Sequence, residues 1–248
     1  MTAPTLEIRL NQTQAGIYNV TYGRIDAPLD VQEATFAENN LSMVSPAQFG
    51  YLIASQNEGD DTLPVYSKTS YDVFYDDRDG HRVVIVPDGA ISKIVGAGTI
   101  CETHKRFNDV IIPIYNRTAV YDAVDQMIKK GSAFCTSHGK IVIQTSDLAD
   151  DELTSRLLSD NRLGIKTQFY RDFLTKQKQR TFSISFDFYE QAIAQDNPYM
   201  NRLTMGNYQA STIPKIHQYN SGEDIAGKYT KLDDILPAVG ARFEKREG

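Results

Sequence analysis

The pattern of this chain predicts an α+β fold, a mainly antiparallel sheet built from hairpins with two to four helices packed on it and a β-rich N-terminal third. Three observations point there. Short stretches with an apolar residue at every second position recur along the chain, as half-buried strands require. Turn pairs such as Asp79-Gly80 and His138-Gly139 separate several of them, and tight hairpin turns favour such residues. Helical periodicity is confined to a few segments that do not alternate strictly with the strands, which argues against a doubly wound parallel sheet.

Residues 1–70 read as a β-rich segment with long loops. Leu6–Leu10 and Ile17–Tyr22 alternate apolar and polar positions and predict two strands. Pro28, Pro46, Gly50, Gly59 and Pro64 then break the pattern, leaving loops and one short helix near Ser45–Phe49, with Ser45 as its cap and Pro46 in its first position.

Residues 71–195 read as the α+β core. Tyr71–Tyr75 and Arg82–Val86 flank Asp79-Gly80 and predict a hairpin. Val110–Tyr115 predicts a further strand, at an edge or bulged because Pro113 cannot donate to a ladder. Thr118 is placed to cap a helix that carries Val120, Tyr121, Val124, Met127 and Ile128 on one face and stops at Gly131. Ala133–Cys135 and Lys140–Gln144 predict a second hairpin turning at His138-Gly139. Ser146 opens another helical pattern through Leu148, Leu153 and Leu157, and Ile165, Phe169 and Phe173 mark a third. Thr181–Phe188 is the clearest strand, with Phe182, Ile184, Phe186 and Phe188 on one face. Residues 196–248, polar and aromatic with little period, read as an extended tail that wraps the core or contacts a neighbouring chain.

Composition narrows the function classes. At 248 residues, with 41% hydrophobic and 23% charged side chains, the chain can bury a substantial core without disulfides or metals. A net charge of −6 argues against a dedicated duplex-DNA binder. No run approaches the ~18 apolar residues of a membrane helix, and the opening residues lack a secretory pattern, so a cytoplasmic protein or a component of an intracellularly assembled particle is expected. Charge is uneven: residues 1–92 hold 13 acids against 5 bases, and residues 93–248 hold 19 acids against 21 bases. Such asymmetry lets an acidic surface of one subunit meet a basic surface of the next.

Two groupings could carry chemistry. Both cysteines have a histidine three residues later, Cys101 with His104 and Cys135 with His138, in a chain with only 4 histidines. Thiolate and imidazole in that number suit tetrahedral zinc. Buried cysteines beside turn histidines explain the same pattern without a metal, and no cofactor is the expected state. The second grouping is residues 162–182, where Arg162, Lys166, Arg171, Lys176, Lys178 and Arg180 face one acid, Asp172. Tyr170 and neighbouring phenylalanines interleave with them, a mixture that suits single-stranded nucleic acid, cations tracking phosphates while rings stack on bases. Gly96-Ala97-Gly98 lacks the third glycine of a dinucleotide fingerprint, and Asp76-Asp77, Asp150-Asp151 and Asp233-Asp234 read as solvated turns or helix N-terminal charges.

The expectation is a non-enzymatic structural or interaction subunit of a larger assembly, for which a virus or phage component suits the profile. Its partners would be other protein subunits, identical or different, and not a membrane. The 14 tyrosines, with 0 tryptophans, supply amphipathic contact surface. Single-stranded nucleic-acid binding through residues 162–182 is the alternative, and a metal-dependent protein built on the Cys/His quartet the third.

Overall fold

The computed structural model describes residues 5–56, 62–64, 66–78, 82–96, 110–136, 140–143, 152–176, 180–185, 198–209 and 237–247. In chain order they form β1 (Leu10–Ala15), β2 (Tyr18–Ile25), α1 (Leu29–Glu38), β3 (Ser42–Met43), α2 (Pro46–Ser55), β4 (Tyr66–Asp76) and β5 (Arg82–Val86). A 3-10 turn (Pro87–Gly89), α3 (Ala90–Val95), β6 (Val110–Ile111), α4 (Ile114–Lys129), β7 (Phe134–Thr136) and β8 (Lys140–Ile143) follow. The described remainder is α5 (Glu152–Leu157), α6 (Thr167–Lys176), β9 (Arg180–Ser185), β10 (Tyr199–Gln209) and β11 (Ala238–Lys245). The fold is α+β and mostly antiparallel, as the strand and turn patterns predict: one 11-stranded sheet runs β1-β2-β11-β4-β10-β9-β8, with the shorter strands joined at its sides.

The first hairpin sits further along the chain than the alternation suggests. Leu10–Ala15 pairs with Tyr18–Ile25 across a two-residue loop, with Ala15 opposite Tyr18 and Gly16 supplying the positive φ of 55° that such a loop needs. β1 is an outer strand, exposed on one face and only half-buried on the other until Ala15, so polar residues serve it and the apolar alternation of Leu6–Leu10 misleads. The reading of residues 26–64 as long loops with one helix also misses α1. Its buried face includes Gln32 and Thr35 beside Leu29, Val31 and Phe36, and those polar members blur the apolar period. α2 begins as expected, with a reciprocal cap: the Gln48 N–H donates to Ser45 Oγ at 3.2 Å and the Ser45 N–H donates to Gln48 Oε1 at 3.0 Å.

The β4/β5 hairpin forms in the register Asp72↔Val86 to Asp76↔Arg82. The strand expected at Val110–Tyr115 stops after Ile111, because Pro113 occupies the N-cap position of α4, which therefore starts four residues before Thr118. Val120 and Val124 are buried on its inner face, with Tyr121, Met127 and Ile128 packed beside them. β7 and β8 exist, but they do not pair with each other. β7 lies against β5 (Cys135 opposite Val84) and β8 against β9 (Val142 opposite Ser183). The expected turn at His138-Gly139 lies outside the described residues; Phe134 of β7 is buried in the core where that strand lies against β5. Leu148, Ser146 and the strand positions Phe186 and Phe188 fall outside the described residues.

Residues 196–248, expected as an extended tail, contribute two interior strands. β10 pairs with β4 on one side and β9 on the other, and β11 pairs with β2 along its whole length. Their period is hidden for physical reasons. β10 carries a register shift between Arg202 and Thr204, so its buried Met200, Leu203 and Met205 do not alternate strictly. β11 opens with small residues, and at Gly240 a Cβ would clash with the ring of Phe36, which packs directly on the strand.

Three cores result. One lies between α2, α6 and the sheet, around Phe49, Leu52, Tyr170 and Phe182. A second lies under α3 and α4, around Phe74, Ile91 and Val124. A smaller one sits beneath α1 around Phe36. No helix of the described residues is long and apolar enough to cross a membrane.

A network of charges ties the β4/β5 hairpin to α4. Arg78 donates to both oxygens of Asp125 at 2.9 and 3.0 Å and to Asp76 at 2.9 Å, and its guanidinium lies 4.0 Å from the centroid of the Tyr121 ring. Arg82 donates to Asp76 at 3.0 Å and to Asp125 at 2.9 Å. Asp76, read from sequence as part of a solvated acidic turn, is in fact wholly buried beneath these two arginines. Burial pushes its carboxyl up, but hydrogen bonds from Arg78 and Arg82 overcome this and hold it below the ordinary 3.8. The hydrogen bond from Arg78 depresses Asp125 likewise, against a smaller effect of burial. Both pKa values are lower in the folded chain, so their stabilisation is present above the unfolded value and is lost as pH falls through the folded ones. The urea midpoint should therefore drop between pH 7 and acid below about pH 4, and drop less in Arg78→Gln. Equal losses in the two proteins would show that the network does not drive the acid response.

Candidate functional site

The sheet forks. β11 and β4 run parallel and meet at one residue pair, Ala238 opposite Lys68. Beyond it they separate, and Val44 bridges the opening: its N–H donates to Val239 O at 3.0 Å, and its carbonyl accepts from the Ser70 N–H at 2.8 Å. β3 closes the floor by pairing with β11 at Gly240 and Ala241. Above that floor lies a cleft of about 740 Å³.

One wall of the cleft carries the half-buried helix residue Glu33 and the buried Phe36 of α1. Opposite stands the turn that presents Arg162 and Leu163. Buried Asp160 fixes this turn by accepting the N–H of Arg162 at 2.9 Å, the N–H of Leu163 at 3.3 Å and the side-chain amide of Gln48 at 3.0 Å. Asp160 and Ile165 exchange backbone hydrogen bonds at 2.9 and 3.0 Å, and Gly164 closes the turn at a φ of 67°. Arg162 is thus held by its backbone while its side chain remains 74% exposed, reaching toward Asp88 at 3.9 Å.

The far end is built around Arg202 of β10. Its side chain is 2% exposed, lies 2.6 Å from Glu33 and 3.3 Å from the wholly buried Asp72 of β4. Asp72 also accepts the N–H groups of Ile91 and Ser92 at 2.9 and 3.0 Å and the Ser92 hydroxyl at 2.6 Å, so one carboxylate joins α3 to the sheet. The 3-10 turn passes over the guanidinium, where Asp88 and Gly89 adopt φ of 58° and 59°. A Cβ at Gly89 would lie 3.0 Å from both terminal nitrogens of Arg202, so only glycine lets the turn come this close. Lys93, exposed on α3, donates to Asp88 O at 2.6 Å.

The cleft thus has a rigid frame, a lining of mixed polarity, and cations at its rim (Lys93, Arg162 and Arg242 of β11). Such a lining can hold an anionic or amphipathic segment by charge, hydrogen bonds and apolar contact together.

The sequence-derived sites fare differently. Of the Cys/His quartet, Cys101, His104 and His138 lie outside the described residues; Cys135 is an exposed free thiol on β7. Among the described residues, no group of three or more His, Cys, Asp or Glu side chains is placed to hold a metal ion. Within the basic segment, Arg162, Lys166 and Lys176 are exposed and Arg171 is half-buried. Lys178 lies outside the described residues, and Arg180 is described only as the first residue of β9. Tyr170, expected to stack on a base, is fully buried: its hydroxyl donates to Ala47 O and its ring packs edge-on against Phe169 and Phe182. Burial also drives its hydroxyl pKa well above the usual value. Tyr170 and Leu174, four residues apart, form the most deeply buried line of α6, and that spacing was the signal in the sequence.

Sequence reasoning singled out Arg162 but not Asp72, Glu33, Lys93, Arg202 or Arg242. One signal was present: Asp72 is a carboxylate within the apolar alternation Tyr71–Tyr75, and such a residue on a buried strand needs a cation.

No protein-family model matches the chain. No curated protein matches it. Among solved structures it is similar to a chain described by the words "Accommodation of massive sequence variation in Nanoarchaeota by the C-type lectin fold", with a TM-score of 0.50 and 11% identity over 94% of this chain and 100% of that one. At that identity the likeness shows a shared fold and carries no statement about ligand or partner.

Proposed function

We propose that this chain is a non-enzymatic interaction subunit of a larger protein assembly, and that the cleft at the fork between β11 and β4 receives a partner subunit. The observation that carries the reading is the pairing of a rigid frame with a chemically mixed lining. Backbone ladders, the Asp160 turn and the Asp72–Arg202–Glu33 cluster hold the walls, so little ordering cost remains to be met on binding. Exposed Arg162 and Lys93 provide charge at the rim, while half-buried Met43, Leu163 and Phe243 provide apolar contact within. The solved chain of the same fold is described as accommodating massive sequence variation. A frame of that kind suits recognition, since the lining can change its partner while the ladders keep the shape.

Size exclusion with light scattering, run on the purified chain and on complexes captured from its native source, tests this. The expected result is a stoichiometric complex, with other copies or with a distinct protein. A monomer at high concentration that captures no stoichiometric protein would overturn the reading.

A further inference from the structure

Among the described residues, the edge of β11 that faces away from β2 is unpaired beyond Ala241. Its ladder parity is fixed at both ends: Val239 O accepts from Val44 on the cleft side, and the Arg246 N–H donates to Ile17 O on the β2 side. Backbone groups alternate along a strand, so those of Ala241, Phe243 and Lys245 point away from β2, and Ala241 and Phe243 line the cleft. Ala241 is opposite Ser42 of β3. Beyond it, among the described residues, β11 has no second strand, so Phe243 and Lys245 present donors and acceptors to the opening.

We propose that this edge adds an extended, acidic segment of a partner protein as a further strand, filling the fork between β11 and β4. The inference rests on the interaction-subunit reading and names its binding mode. Main-chain hydrogen bonds to Phe243 and Lys245 supply orientation, and alternate side chains of the incoming strand face the two walls, as strand addition to an open edge requires. One set meets the α1 wall at exposed Ala37 and the other meets Leu163 and the rim of the Arg162 turn. Charge selects the occupant. Arg202 is buried and engaged by Glu33 and Asp72, and Arg242 pairs with Glu244 at 3.0 Å, so the charge offered to an occupant is that of the exposed Lys93 and Arg162 beside Asp88. Arg162 lies 3.9 Å from Asp88 and 3.7 Å from Asp160, too far for a hydrogen bond to either, and is the cation best placed to take a carboxylate from the incoming strand.

The test uses the whole chain and a blocked peptide alternating Glu and Val, its Lys-for-Glu counterpart, the same acidic peptide with alternate amides N-methylated, and oligothymidylate. Amide exchange by NMR is read at Phe243 and Lys245. The acidic peptide is expected to slow exchange at both amides and to bind at least about ten-fold more tightly than the Lys peptide, and N-methylation is expected to abolish binding. Equal binding of the methylated peptide would overturn strand addition. Equal binding of the Lys peptide would overturn the acidic occupant. Protection by oligothymidylate but not by the acidic peptide would assign the cleft to nucleic acid instead. A partner captured by the chain without protection at these two amides would overturn this inference while leaving the interaction-subunit reading in place.

Discussion

Replacing Arg202 by Leu is expected to lower the free energy of unfolding by about 3–5 kcal/mol, the usual cost of removing one partner from a buried ion pair. Arg202 is 2% exposed and Asp72 is wholly buried, so deletion of the guanidinium leaves a carboxylate that cannot recover water. Asp72 keeps its hydrogen bonds from Ile91 and Ser92, which places the expected loss toward the lower end of that range. Arg202→Lys should lose less, since it keeps the charge but not the planar fork that reaches Glu33 and Asp72 together. Adding Asp72→Asn to the Leu variant should recover part of the loss, because it removes the orphaned charge. Urea unfolding of the single and double variants checks this. A Leu variant within about 0.5 kcal/mol of the parent, the range of ordinary surface changes, would show that the cluster does not hold the fork.

Much of the fold was legible where one local signal decided one local structure. The Ser45-Pro46 start of α2, the β4/β5 hairpin and the apolar stripe of α4 follow from capping, turn and periodicity rules acting within a few residues. The pattern failed where distant residues decide. Gly240 is small because Phe36 of α1 rests on it, and no neighbour of Gly240 in sequence carries that information. β7 and β8 look like a hairpin from the chain between them, yet each finds its partner elsewhere in the sheet.

The site was less legible than the fold. Its walls come from α1, the 3-10 turn, the Asp160 turn, β10 and β11, segments far apart in the chain that meet only through the fork. Arg162 was noticed for its charge but assigned to a linear basic run. In the fold it is separated in role from Tyr170, which serves the core, and is joined to Lys93 and Asp88 of the cleft. Asp72 in an apolar strand was the one residue whose oddity pointed to a buried cation.

The second large effect concerns recognition. Lys93 and Arg162 are exposed and stand at the rim, so changing both to Glu gives up the Lys93 bond to Asp88 O and should lower stability by no more than about 2 kcal/mol, leaving the chain folded. An acidic partner segment would then meet like charge in place of opposite charge, which costs several kcal/mol, and its affinity should fall by about 100-fold or more. High salt should weaken the parent's binding toward that of the variant, because the rim charges are screened. The most direct measurement is therefore the affinity of the captured partner for the parent chain and for the Lys93→Glu/Arg162→Glu variant, with unfolding followed in parallel. Loss of the partner from a variant that remains folded is the predicted result; undiminished affinity would contradict the assignment of the fork as the recognition site.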